Sequence, residues 1–259
     1  MATAATTGAT AALLALLVLP VGALLLRGGR EGLRLLVVDR ELQDALLLTG
    51  TTATLVTAIV VLLGTPLAYL LARGRMPAGP VISAMIDLPL LIPHPVAGIA
   101  LLLVFGRAAP AGSALARAGL AVVGTPLGIG LAMLFVSAPL YLSAGREAMA
   151  RVDERLESVA RTLGDSPWGA VRRVTLPLAG RGLLAAAVTM WARAVSEFGA
   201  IVILTYNPKT ASILSYDRFT AHGLDAALPV AAVLVALALV PMLALRLLRA
   251  RTGLGEPGR

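Results

Sequence analysis

Several apolar runs in this chain reach the roughly 20 residues a helix needs to cross a bilayer, and no other feature restricts the fold so much. Backbone in hydrocarbon must satisfy its own hydrogen bonds, so open-chain spans of this length are helices. Composition agrees: 58% of the 259 residues are hydrophobic and 14% are charged, against about 25% charged in soluble domains. The expected fold is all-α, a polytopic membrane helix bundle of six spans near residues 10–26, 45–72, 81–106, 120–143, 183–206 and 226–248. The whole of 1–259 reads as one transmembrane domain with its core at 45–248.

The first run lacks the basic start of a secretory leader, and Arg27, Arg30 and Arg34 follow it instead, so it reads as a retained span. Orientation follows from lysine and arginine. With both termini cytoplasmic, the inner segments hold 13 basic residues and the outer ones 8. Residues 27–45 mix arginines and acids around Leu33, Leu35, Leu36, Val37 and Val38, and read as a short amphipathic piece at the outer surface.

Two spans carry polar chemistry. The third reads Asp87-Leu-Pro89-Leu-Leu-Ile-Pro93-His94-Pro95, and prolines this close cannot all sit in a straight helix. Freed backbone groups must then face protein or water, so the span is expected to be broken. His94 either lines a pathway, lies near the outer interface or bonds a freed carbonyl. The fifth span holds Arg193-Ala-Val-Ser196-Glu197-Phe198-Gly199. Arg193 and Glu197, four apart, can pair on one helical face. Such a pair either lines a pathway or fixes the helix's rotation. The interval 206–223 reads as a polar outward loop, and the tail 249–259 as disordered, with no regulatory domain expected after the sixth span.

Between the fourth and fifth spans lies a charged elbow, residues 145–181. Arg146, Glu147 and the run to Arg161 form a helix, Gly164 breaks it, and a second short helix starts near Pro167 and stops at Pro177. Asp165 or Ser166 can cap the second helix. An elbow of this kind on the cytoplasmic side suits docking of a soluble partner.

The chain has no Gly-x-x-x-x-Gly-Lys-[Ser/Thr] phosphate loop, its single lysine being Lys209. It has no His-Glu-x-x-His and no cysteine, so no metal site is evident. The expectation is a non-enzyme.

The elbow resembles the signature of ABC-importer permease subunits, Glu-Ala-Ala, three residues, Gly, nine residues, Ile, one residue, Leu-Pro. Gly164 takes the Gly place, Val174 the Ile place and Leu176-Pro177 the Leu-Pro place. Ala160 fits the third place, Ser158 and Val159 depart from the pattern, and Glu157 stands one residue ahead of it. Pro93-His94-Pro95-Val-Ala-Gly98 and Ser196-Glu197-Phe198-Gly199 are similar to molybdate/tungstate permeases in particular.

The resemblance implies a coupling surface of Glu157, Ser158, Val159, Ala160, Gly164, Asp165, Ser166, Pro167, Trp168, Val174, Leu176 and Pro177 against an ATPase. It implies a pathway or gate at Pro93, His94, Pro95, Arg193, Ser196, Glu197, Phe198 and Gly199. It further implies a multi-pass protein of the cell membrane, a homodimer working with two ATPase subunits and an extracytoplasmic oxyanion-binding protein. ATP and Mg would sit on the ATPase, with no cofactor on this chain and no nucleic acid bound. Tungstate or molybdate is the first expected cargo, sulfate or thiosulfate the second. The competing class is an ion-coupled carrier with Asp87, His94, Arg193 and Glu197 as a proton relay.

Overall fold

A computed structural model describes residues 2–251. All regular structure among the described residues is helical. Five helices are long and apolar enough to cross a membrane: Thr6–Val38, Arg40–Ala72, Pro126–Ala150, Pro167–Val195 and Leu224–Leu245. A bent pair, Gly79–Leu91 with His94–Phe105, makes a sixth span broken by 114°. The proline-dense third span is therefore broken as its sequence requires, between Leu91 and His94.

The helices in chain order are α1 (Ala2–Val38), α2 (Arg40–Ala72), α3 (Gly79–Leu91), α4 (His94–Phe105), α5 (Pro110–Arg117), α6 (Pro126–Ala150), α7 (Glu154–Thr162), α8 (Pro167–Ala170), α9 (Leu176–Val195), α10 (Gly199–Leu204), α11 (Ala211–His222) and α12 (Leu224–Arg251). They gather into two compact units. The first takes residues up to Leu47 with Lys209–Leu237; the second takes Leu48–Pro208 with residues from Ala238 on.

In the first unit, the expected surface piece at 27–45 is not separate. Its first part continues α1 as far as Val38, and after Asp39 the chain enters α2. Asp39 accepts from the Leu42 backbone N–H at 3.1 Å and so caps α2. Gly28 and Gly32 explain why this stretch is held: a Cβ on either would fall 2.3 Å from the Leu228 carbonyl oxygen or 2.8 Å from that of Pro229. Small residues allow this backbone approach between helices.

The segment 206–223 is likewise more than a polar loop. Most of it is α11, whose first turn buries Ala211, Ile213 and Leu214, Leu214 packing with Leu42, Ala45 and Val230. Lys209 pairs with Asp217 at 2.8 Å and Arg218 with Asp39 at 2.5 Å, which offsets the charge there. The Asp217 hydrogen bond holds the Lys209 ammonium above the ordinary lysine range. Helix α12 runs to Arg251, inside the expected disordered tail; residues 252–259 lie outside the described residues.

In the second unit, α6 and α9 pack along their lengths. Gly182 sits so near Ala148 that an added Cβ would come within 2.5 Å of the alanine's own. Ile129, Met133, Tyr141, Met149 and Met190 are fully buried. The fourth span is shifted from expectation: α6 starts at Pro126, behind a turn where Gly119 and Gly124 take positive φ, and continues to Ala150. It therefore includes Arg146 and Glu147, which the sequence assigned to the elbow helix. Arg146 donates to Ser83 at 2.9 Å and Ser143 to Asp87 at 2.8 Å, so polar residues of α3 and α6 satisfy each other.

Candidate functional site

The elbow is built from local signals. Asp153 accepts from the Arg155 N–H at 2.9 Å and starts α7. The helix ends at Thr162, and Gly164 turns the chain with φ +100°, a conformation that favours glycine. Nothing lies within 4 Å of a Cβ built there, so conformation and not space selects the glycine. Ser166, not Asp165, caps α8, accepting from the Gly169 N–H at 3.0 Å. Asp165 instead pairs with Arg173.

The helix does not stop at Pro177. A π-helical turn, Val171–Thr175, carries α8 into α9, with the Leu176 N–H donating to the Val171 carbonyl. A proline lacks the N–H of an ordinary helical turn and crowds the carbonyl four residues back. The wider π turn sits just before Pro177, and such bulges absorb this kind of mismatch. The long apolar helix thus runs Pro167–Val195.

Glu157 holds the elbow in place. Its side chain is buried, and its Oε1 accepts from Thr175 Oγ1 at 2.5 Å and from Arg73 Nη2 and Nε at 2.6 and 3.0 Å. Its Oε2 accepts from the Tyr69 hydroxyl at 2.8 Å. Arg73, 1% exposed, also donates to the Val152 carbonyl at 2.9 Å. Burial works against the Glu157 charge, but the bonds from Thr175, Tyr69 and Arg73 outweigh it and hold the carboxyl below the ordinary glutamate range. One carboxylate therefore ties α7, the π turn and the end of α2 together. Eighty-odd residues separate Tyr69 and Arg73 from Glu157, and no local sequence pattern links them.

The elbow's outer face is different. Leu156, Val159, Leu163 and Trp168 are exposed, Trp168 at 62%. Ser158, Gly164, Ser166, Pro167 and Pro177 are also exposed; Ala160, Asp165, Val174 and Leu176 are half-buried. The expected coupling residues thus divide into an exposed apolar face and the inward-facing Glu157.

The second set of residues meets where two spans break. Helix α9 ends at Val195 and α10 begins at Gly199, so Ser196, Glu197 and Phe198 form a break instead of helix interior. Glu197 Oε1 accepts from the Ala200 N–H at 2.8 Å, giving α10's first turn a partner. Its Oε2 accepts from Arg193 Nη2 at 2.7 Å. The same nitrogen lies 2.8 Å from His94 Nε2, at the start of α4. His94 Nδ1 is 3.4 Å from Glu197 Oε2.

Gly199 allows this approach, since a Cβ there would meet His94 Cβ at 2.6 Å and Pro95 Cδ at 3.1 Å. Gly98 does the same one turn on, against the Ala200 carbonyl at 2.7 Å. Of the residues expected to line a pathway, His94, Pro95, Arg193, Ser196, Glu197 and Gly199 converge. Pro93 precedes α4 as its cap, and Phe198 is half-buried at the start of α10. Asp87 is not drawn into this cluster, being hydrogen-bonded to Ser143.

Long apolar helices, a broken span pair with charge at the breaks and an elbow with an exposed apolar face define a polytopic membrane protein. Residues 61–253 match the family described as binding-protein-dependent transport system inner membrane component, and the chain belongs to that family. It is 42% identical over 200 residues to a molybdate/tungstate transport system permease protein of Thermococcus kodakarensis, covering 77% of this chain and 76% of that one. It is 39% identical over 220 residues to a probable molybdenum ABC transporter permease protein of Haloferax volcanii, covering 85% and 80%. Among solved structures, a bacterial alginate ABC transporter in complex with an alginate pentasaccharide-bound periplasmic protein matches with a TM-score of 0.71 at 16% identity. That likeness covers 96% of this chain and 94% of that one, and it concerns the fold.

Proposed function

We propose that this chain is the membrane permease of an ATP-driven importer for molybdate and tungstate, fed by an extracytoplasmic binding protein. The observation that carries the class is the elbow, an exposed apolar face of Leu156, Val159, Leu163 and Trp168 on a segment locked to the helices behind it. The cargo rests on similarity to permeases named for molybdate and tungstate. The chain acts as a homodimer with both termini on the cytoplasmic side. Each elbow meets one subunit of a separate ATPase pair, which holds the ATP and Mg and does the hydrolysis.

Closure of that pair pushes the elbows together. Because Glu157 fastens the elbow to α2 and to the root of α9, the push moves whole helices, a rigid-body change of the kind packed bundles support. The breaks at 92–93 and 196–198 lie at the ends of α4, α9 and α10, where such movement opens or closes a path.

The test is uptake of labelled tungstate into vesicles carrying the permease, its ATPase and its binding protein, with molybdate, sulfate and phosphate as competitors. Uptake requiring ATP and blocked by molybdate but not sulfate supports the reading. Block by sulfate moves the cargo to that anion. Uptake driven by a proton gradient and indifferent to ATP ends it in favour of a carrier.

A further inference from the structure

Arg193 has more hydrogen-bonding capacity than its structural partners use. Its Nη2 serves the interior, reaching Glu197 Oε2 at 2.7 Å and both ring nitrogens of His94, Nε2 at 2.8 Å and Nδ1 at 2.9 Å. Among the described residues its Nη1 reaches only Ser196 Oγ, at the long distance of 3.5 Å. The Arg193 side chain is 24% exposed and that of His94 45%, while Glu197 beneath them is 1% exposed. Ser196 is exposed and its hydroxyl also donates to the Arg193 carbonyl at 3.1 Å. A pair present only to fix helix rotation has no need of a guanidinium edge left open beside an exposed hydroxyl.

We propose that this edge, formed by Arg193 Nη1 and Ser196 Oγ, holds the oxyanion during passage, with Glu197 as its fixed counter-charge. This rests on the oxyanion reading above. A guanidinium offers its N–H groups in a plane that suits two oxygens of a tetrahedral anion, and the Ser196 hydroxyl beside it donates to a third by turning away from the Arg193 carbonyl. The start of α4 lies at the same point and favours negative charge. Glu197 keeps the hold weak: it offsets the Arg193 charge without occupying the open edge, being buried and bonded to the Ala200 N–H. A translocation contact must bind well enough to admit its ion and loosely enough to release it.

The deciding variant is Arg193→Lys. A lysine ammonium can keep the bond to Glu197 but brings no second nitrogen to an anion. The complete transporter is reconstituted in vesicles and labelled tungstate uptake is measured, with co-purification of the ATPase as the control for folding. The expected result is a tenfold or greater loss of uptake by a variant that still holds its ATPase, and a loss of about threefold for Ser196→Ala. Wild-type uptake by both variants overturns the proposal and leaves Arg193–Glu197 a structural pair. Should Arg193→Lys not assemble, Ser196→Ala alone decides on the same readout, since its side chain is exposed. If the unaltered transporter moves no tungstate or molybdate with ATP present, the cargo reading fails and this proposal with it. Wild-type uptake with indifferent variants removes the proposal alone.

Discussion

Two buried glutamates, each gripped by an arginine, lie at different places in this chain, and their differences separate two roles. Glu157 takes four hydrogen bonds from three side chains on α2 and the π turn, and its Arg73 is 1% exposed. Glu197 is as deeply buried, but its Arg193 is 24% exposed and the neighbouring His94 45%. The first is a clasp closed off from solvent on both sides, which suits a joint that passes force. The second is closed below and open above, which suits a contact that takes up and releases a guest. Burial of the acid alone does not distinguish them; exposure of the partner does.

The largest effect that tests this contrast is Glu157→Ala. It leaves the Arg73 charge buried without its partner, and breaking such a pair costs about 3–5 kcal/mol. The expected outcome is a markedly lower unfolding temperature of the detergent-solubilised permease. A variant as stable as wild type would break the clasp reading. Acid sharpens the point. The folded Glu157 carboxyl titrates below its ordinary value of 4.5, so its stabilisation is full above that pH and is lost as pH falls through the lower folded value. Wild-type stability should therefore decline below pH 4.5 more steeply than that of Glu157→Gln, followed by thermal unfolding across pH.

Next comes Trp168→Ala. Trp168 is 62% exposed, so the permease itself should change by less than about 0.5 kcal/mol. Loss of an aromatic anchor at an interface costs about 2 kcal/mol, so the ATPase should bind some thirtyfold more weakly in a titration of the two purified components. Unchanged affinity would place the docking face elsewhere. Gly164→Ala should cost about 1–2 kcal/mol, because φ +100° strains any residue with a Cβ; elbow proteolysis measures it. The smallest effect is Ser166→Ala, about 1 kcal/mol for a lost helix cap, visible as faster hydrogen exchange at Gly169.

Much of this was legible in order along the chain. Apolar run length marked the spans, Pro93 and Pro95 marked the break before α4, and the interval from Gly164 to Pro177 marked the elbow, because backbone chemistry acts over a few residues. The misreadings have a common origin. Polarity alone reads residues 27–45 as a separate amphipathic piece and 206–223 as a loop, yet both are largely helical, and glycines at 28 and 32 and the apolar side of α11 pack against α12. Pro177 reads as a stop because the π turn that accommodates it leaves no signature in composition.

The sequence by itself determined that the chain spans a membrane, where it must break, and that it carries no phosphate loop of its own. Tertiary structure alone decided which charges meet. Tyr69 and Arg73 reach Glu157 across more than eighty residues, and His94 reaches Arg193 across ninety-nine. The physical reason is that a buried charge must find a partner through space. A sequence shows that Arg193 and Glu197 are four apart, but only packing shows that a histidine from another broken span joins them and that one edge of the arginine stays open.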